Sequence, residues 1–263
     1  MVKVDDKVEQ EDFIKFLGTS GARFVMIKQL RASGGVWISL KGTNVLVDPG
    51  PGSIVRCATS RPKLDPSKLD AIILTHRHLD HSGDINVMIE AMTEGGFKRR
   101  GILFCPQDAL RRDPVILKYI RGFIEKIEIL KAGQEYQAGN FKFTTSPRHR
   151  HPVETYGIRF KMNQESVSIL TDTAYFSGLE QFYKTQTVII YVVLFEAKPG
   201  IEHFSLDDVK RFIQEVKPKK AIISHFGMSM LKAKPYIQAE RLSQLLGIEV
   251  LAACDGMVLK FPR

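Results

Sequence analysis

Four side chains of metal-binding type, His76, His78, Asp80 and His81, fall within six consecutive positions directly after the apolar run AIILT at residues 71–75. The chain has only seven histidines, so one short stretch holds three of them. A continuous apolar run reads as a strand buried on both faces. A turn at its end can aim the side chains that follow at one point. Gathering imidazoles and a carboxylate away from water is costly unless something pairs with them. Imidazole nitrogens and carboxylate oxygens are ligands for Zn²⁺ and similar divalent ions. The H-x-H-x-D-H spacing therefore predicts a metal site at a strand end, against the plainer reading of a polar surface loop before a helix.

The rest of the chain reads as strands and helices around that point. FIKFL (13–17) predicts a strand running into the turn GTSGA, and VWISL and NVLVD flank KGTN as a hairpin. Ile85, Met88, Ile89 and Met92 recur at helical spacing. GILFCP reads as a strand, and Asp113-Pro114 is expected to open a basic amphipathic helix over 113–130, with Leu117, Ile120 and Ile124 on one face. FKFTTSP, YGIRFKM, SVSILTD and VIIYVVLFE read as strands. Ser205, with Asp208 three residues on, predicts a capped helix, and AIISH a further strand. Pro235 opens a last helix, and IEVLAACDGMVLKF closes the chain as two strands around an Asp-Gly turn. Strands cluster in each half, with helices following. This predicts one domain over 1–263, a four-layer αββα sandwich of two face-to-face sheets.

Composition bounds the rest. The 263 residues carry 38 Lys+Arg against 29 Asp+Glu, a net charge of +9 that favours phosphates, nucleic acid or other anionic partners. The longest apolar run, VIIYVVLF, is far short of the ~20 residues of a membrane span. The first twelve residues are charged and lack an apolar signal core. A cytoplasmic protein with no membrane partner is expected, and a homodimer is left open. Cys57, Cys105 and Cys254 form no CxxC pair and are expected to be small buried hydrophobes.

THRHLDH resembles the T-H-x-H-x-D-H motif of the metallo-β-lactamase superfamily, whose fold is also an αββα sandwich. The resemblance implies a dinuclear metal site, with His76 and His78 on the first ion and Asp80 and His81 on the second. Zinc is expected, with manganese or iron as rivals. It implies further ligands at later strand ends: Asp172 in SILTDTAYFSG as a bridge between the ions, and His225 in AIISHFGMS. The third ligand of the first ion falls in RHRHPVETYG, which offers His149 and His151. The spacing to Gly157 favours His151, leaving His149 as an exposed residue or a donor behind the ligands.

FLGTSGAR, VLVDPGPGS, VETYGIRF and ISHFG resemble the ribonuclease Z-like phosphodiesterase branch over residues 13–230. That implies hydrolysis of a phosphodiester, in RNA, DNA or a small cyclic phosphate, by water that the two ions activate. Asp80 would orient or deprotonate that water. FEAKPGIEHFS adds Glu196 and His203, which by resemblance would assist catalysis, against the plainer reading of His203 as a neighbour of the helix cap. The protruding tRNA-gripping arm of ribonuclease Z has no counterpart between residues 100 and 200. In its place Arg111, Arg112, Lys118 and Arg121 on the expected helix offer phosphate contacts or a solvated face. Two other classes stay open. One is a glyoxalase II-like thioesterase or lactonase, disfavoured because the chain ends in VLKFPR soon after the last ligand. The other is a non-catalytic, metal-stabilised nucleic-acid-binding module.

Overall fold

A computed structural model describes residues 11–21 and 23–262. The charged N-terminal stretch read above lies largely outside the described residues. In chain order the first half gives β1 (Asp12–Phe16), α1 (Phe24–Ile27), β2 (Val36–Leu40), β3 (Thr43–Val47), α2 (Ser53–Thr59), β4 (Ala71–Ile73), α3 (Leu79–Ser82), α4 (Ile85–Met92), β5 (Ile102–Cys105) and β6 (Lys126–Ile129). The second half gives β7 (Glu135–Ala138), β8 (Phe141–Thr145), β9 (Ile158–Met162), β10 (Glu165–Leu170), α5 (Leu179–Phe182), β11 (Thr187–Tyr191), α6 (Leu206–Val216), β12 (Lys220–Ser224), α7 (Met228–Lys232), α8 (Pro235–Leu246), β13 (Glu249–Ala252) and β14 (Val258–Phe261).

These strands form two seven-stranded sheets, ordered β14-β1-β2-β3-β4-β5-β6 and β13-β12-β11-β10-β9-β8-β7. Alternation along each strand explains the layers, because successive side chains point to opposite faces. Ala71 and Ile73 of β4 face the core between the sheets, with Ile38, Phe104, Phe141, Phe160 and Ile189. Ile72 points the other way, into a cluster with Met88 and Ile89 of α4. Likewise Val188 and Ile190 of β11 meet Phe212 and Ile213 of α6. Each central strand is buried on both faces, hence the unbroken apolar runs. The result is the four-layer αββα sandwich. Ser205 caps α6 reciprocally with Asp208, as its spacing predicts.

Strands β3 to β6 run parallel to one another, as do β10 to β13. Their carboxyl ends are where an α/β sheet collects its ligand-binding loops.

Three expectations fail. No α-helix forms over 113–130; a short 3₁₀ turn at Tyr119–Phe123 is followed by β6. Ile116, Ile120 and Ile124 are buried, but Leu117 is 43% exposed, so the apolar residues do not share one helical face. Side chains satisfy this backbone instead. Asn86 donates to Val115 O and accepts from Leu117 N, and Arg121 donates to Leu110 O and Ile116 O. Arg121 is thus a loop staple, while Arg111, Arg112 and Lys118 are exposed. The two C-terminal strands are not a hairpin: β13 pairs with β12 in one sheet and β14 with β1 in the other. Asp255 between them accepts from Thr19 N, Thr19 Oγ1 and Ala32 N, which fixes the crossing. Finally, Cys57 and Cys105 are buried, but Cys254 is exposed. Among the described residues, no helix is long and apolar enough to cross a membrane.

Candidate metal centre

His76 and His78 leave the end of β4, and Asp80 and His81 lie on α3, the single turn that follows. Asp172 follows β10, His225 follows β12, and His151 sits on the segment between β8 and β9. Their donor atoms fall into two groups, each within 4.8 Å of one another: His76, His78, His151 and Asp172; and Asp80, His81, Asp172 and His225. Asp172 belongs to both. Its Oδ2 lies 3.7 Å from His76 Nε2 and 3.4 Å from His81 Nε2, and its Oδ1 lies 3.5 Å from His225 Nε2. Asp80 Oδ2 lies 3.4 Å from His225 Nε2 and 3.7 Å from His81 Nε2.

His225 adopts the left-handed conformation (φ 61°). The loop after β1 presses on it so closely that a Cβ at Gly21 would come within 2.2 Å of its carbonyl oxygen. Tyr191 stacks on its ring, with centroids 4.7 Å apart. Thus the FLGTSG segment buttresses the last donor.

Asp48 sets the direction of two other rings. It sits at φ 53° after β3, where aspartate is tolerated better than most residues. Its carboxylate accepts from Thr75 N at 2.7 Å, Thr75 Oγ1 at 2.7 Å and His81 Nδ1 at 2.9 Å. With its proton given to Asp48, Thr75 Oγ1 is left to accept from His76 Nδ1 at 3.2 Å. Both rings are therefore protonated on Nδ1 and turn Nε2 inward. Although Asp48 lies near His76 and His81 as a third potential donor group, its oxygens are already committed, so it orients ligands in the manner usual for metal-bound histidines. His151 is fixed the same way, donating from Nδ1 to Glu202 O at 3.0 Å.

The charges divide between the groups. Burial holds His76 well below the usual histidine range, lowers His78 to about 4 and lowers His151, keeping three neutral lone pairs together. Burial also opposes the His81 cation, but Asp80 and Asp48 outweigh it and raise the ring well above its usual range. His225 is raised over the same opposition by Asp172. Asp80 is likewise held at about 2, burial being outweighed by His81 and then His225.

The donor set fits divalent ions. His76 Nε2 and Asp172 Oδ1 are buried without a hydrogen-bond partner. His81 Nε2 faces His225 Nε2 at 3.2 Å, and His151 Nε2 faces His78 Nδ1 at 3.0 Å. Acceptor nitrogens at such separations repel unless a proton or cation lies between them, and unsatisfied buried polar atoms are rare.

Other expected residues fall into place or out of it. His149 is only 3% exposed, not a surface residue, and both its nitrogens are engaged: Nδ1 donates to Asp172 O at 3.1 Å and Nε2 accepts from Tyr183 Oη at 2.7 Å. It positions Asp172 and has no lone pair left for an ion. His203 reaches the centre, with Nδ1 3.6 Å from Asp172 Oδ2 and its ring edge-on to His151 at 5.1 Å. Glu196 is exposed on the loop after β11 and joins neither donor group, so nothing places it at the chemistry. The role of Asp48 was not legible as such, although a D-P-G turn ending an apolar strand marks the position.

A two-sheet αββα sandwich carrying paired His/Asp donor groups at its strand ends defines a metallo-β-lactamase-fold protein of the kind found among metal-dependent hydrolases. The chain belongs to the Beta-lactamase superfamily domain family, whose model matches residues 43–226. An uncharacterized protein of Methanocaldococcus jannaschii is 29% identical over 253 residues, covering 93% of each chain. The fold is shared with YhfI from Bacillus subtilis (TM-score 0.75, 19% identity, 95% of this chain and 100% of that one). It is shared also with the short form of human tRNase Z (TM-score 0.71, 16% identity, 95% and 100%).

Proposed function

We propose that the protein is a ribonuclease Z-like phosphodiesterase that uses two divalent ions, most simply zinc, to hydrolyse a nucleic acid or a small cyclic phosphodiester. The observation that carries this reading is His203, an imidazole aimed at the shared carboxylate that contributes to neither donor group. Its Nδ1 is buried without a hydrogen-bond partner, while the side chain remains 17% exposed. A phosphodiester releases an alkoxide that needs a proton, and this ring can supply one at the place where the reaction happens. The net charge of +9 and the fold shared with human tRNase Z support the same choice.

His76, His78 and His151 would hold one ion, Asp80, His81 and His225 the other, and Asp172 both. The ions supply Lewis-acid polarisation of the phosphoryl oxygens and lower the pKa of a water toward neutrality. Asp80, held ionised, orients that water or takes its proton. Asp48, Thr75 and Glu202 O keep the imidazole lone pairs inward. His203 Nδ1–H protonates the leaving oxygen.

The test is a substrate panel with protein stripped of metal and reloaded with zinc, manganese or iron. It comprises bis(p-nitrophenyl) phosphate, a cyclic nucleotide, a short RNA, a thioester and a lactone. Metal-dependent cleavage of the phosphodiesters is expected. Turnover confined to the thioester or lactone would overturn the assignment, and binding of RNA with no hydrolysis under any metal would point to a non-catalytic module.

A further inference from the structure

Among the described residues, Lys15 on β1 is the one lysine that is buried, at 4% exposure. Its Nζ donates to Arg61 O at 2.9 Å, and among the described residues no carboxylate pairs with it. Burial pulls its ammonium below the usual lysine range. A buried, unpaired cation is costly to keep and needs a reason. Lys15 lines a cavity of about 240 Å³ that also takes in Arg56, Ser60, Arg61 and Asp255. Neither arginine makes an ion pair among the described residues, and both are exposed; Arg61 Nη1 donates to Ser60 O at a long 3.3 Å, which leaves most of its guanidinium donors for the cavity mouth. Ser60 is 8% exposed, and its hydroxyl has no hydrogen-bond partner. Asp255 is the sole carboxylate, and its two oxygens already accept from Thr19 and Ala32. Three cations and a free hydroxyl thus face one committed carboxylate.

We propose that this pocket binds a phosphate group. Guanidiniums and an ammonium are the usual partners of phosphate oxygens, and a hydroxyl completes the donor set. The volume lies below the ~300–1,000 Å³ of cavities that hold drug-sized ligands, which suits a small anion. The pocket is distinct from the metal centre yet adjoins it. Leu17 lines this cavity, while the next residue, Gly18, lines a small one bounded by Asp48, Asp80, His81 and His225. The phosphate can come from a nucleic-acid strand that extends beyond the metal centre, or from a free phosphate or phosphomonoester that acts on the same loop.

Calorimetric titration of the metal-loaded full chain with inorganic phosphate tests the proposal, comparing wild type with Arg56→Ala/Arg61→Ala. Removing two charged contacts should weaken the phosphate site about tenfold to a hundredfold or more. Metal content and turnover of bis(p-nitrophenyl) phosphate should be unchanged. Phosphate bound at the metal centre is identified by its loss in Asp172→Ala, which should leave the arginine-dependent event in place. Should the double variant unfold, Arg61→Gln alone decides, because Arg61 is exposed. A higher KM for a short RNA in the arginine variant, with KM for the small diester unchanged, assigns the pocket to the substrate strand. An unchanged RNA KM with lost phosphate binding assigns it to free phosphate. A phosphate isotherm identical in wild type and variant overturns the proposal, whether or not any RNA is cleaved.

Discussion

Replacing Asp48 with Asn should disarm both donor groups without removing a ligand. Asparagine is isosteric and tolerates the same positive φ, so the backbone is not strained. The amide oxygen can still accept from Thr75 N. Its NH₂ then faces Thr75 Oγ1 and the Nδ1–H of His81, two groups that now donate. To avoid opposed donors, Thr75 must accept from the amide and turn its own proton to His76 Nδ1, and His81 must move its proton to Nε2. Both changes fix N–H groups at the Nε2 positions where an ion needs lone pairs. Hydrogen bonds to charged groups contribute ~1.5–3 kcal/mol each. Trading two such bonds for neutral ones of ~0.5–1.5 kcal/mol each should cost the metal-free protein about 2–3 kcal/mol. Losing a second-layer partner typically costs ~10–100-fold in metal affinity, and with two rings affected the upper end is expected. Chelator competition on the folded variant reads the affinity, and thermal unfolding of the stripped protein reads the stability. Metal affinity within threefold of wild type would refute the account of how the rings are oriented.

His151→Ala should lose metal and activity together. His149→Ala should first lose stability, about 2–4 kcal/mol for two buried hydrogen bonds, and the reverse pattern in metal content would show that the donor assignment is wrong. His203→Ala should keep its metal and lose roughly 10²–10⁴-fold in turnover on a ribose leaving group, but much less on p-nitrophenolate; equal losses would remove it as the proton donor. With Cys57 and Cys105 pushed up to about 12 by burial, a thiol reagent on the native protein should modify Cys254 alone, and fast reaction at a second thiol would contradict the packing. Ser205→Ala should cost ~1 kcal/mol, lowering Tm by about 2–4 °C; no shift would mean that the reciprocal cap is not formed in solution.

The parts legible in the sequence are those where local chemistry and tertiary context agree. The run before Thr75, the spacing of His76, His78, Asp80 and His81, and the Ser205–Asp208 cap each state their own structure within a few residues. What was hidden depends on long-range partners. Ile116, Ile120 and Ile124 are apolar at near-helical spacing, yet the cover over β5 takes them one at a time, with Asn86 and Arg121 replacing helical hydrogen bonds. The Asp-Gly at 255–256 has the composition of a hairpin turn, but Asp255 is spent on Thr19 and Ala32, more than 200 residues away in the chain. His149 and His151 lie two residues apart; the spacing to Gly157 favours His151, but that His149 is buried against Tyr183 and the carbonyl of Asp172 depends on partners far along the chain. Asp48 has no ligand-type neighbours in sequence; the turn after β4 brings Thr75 and His81 to it.

The central claim is that one carboxylate, Asp172, joins two metal-binding groups. Elemental analysis of wild type and Asp172→Ala, purified in parallel and equilibrated with the same zinc buffer, tests it most directly. Two ions per chain are expected in wild type and at most one in the variant, with phosphodiesterase turnover lost. Two ions retained in Asp172→Ala with full activity would contradict it.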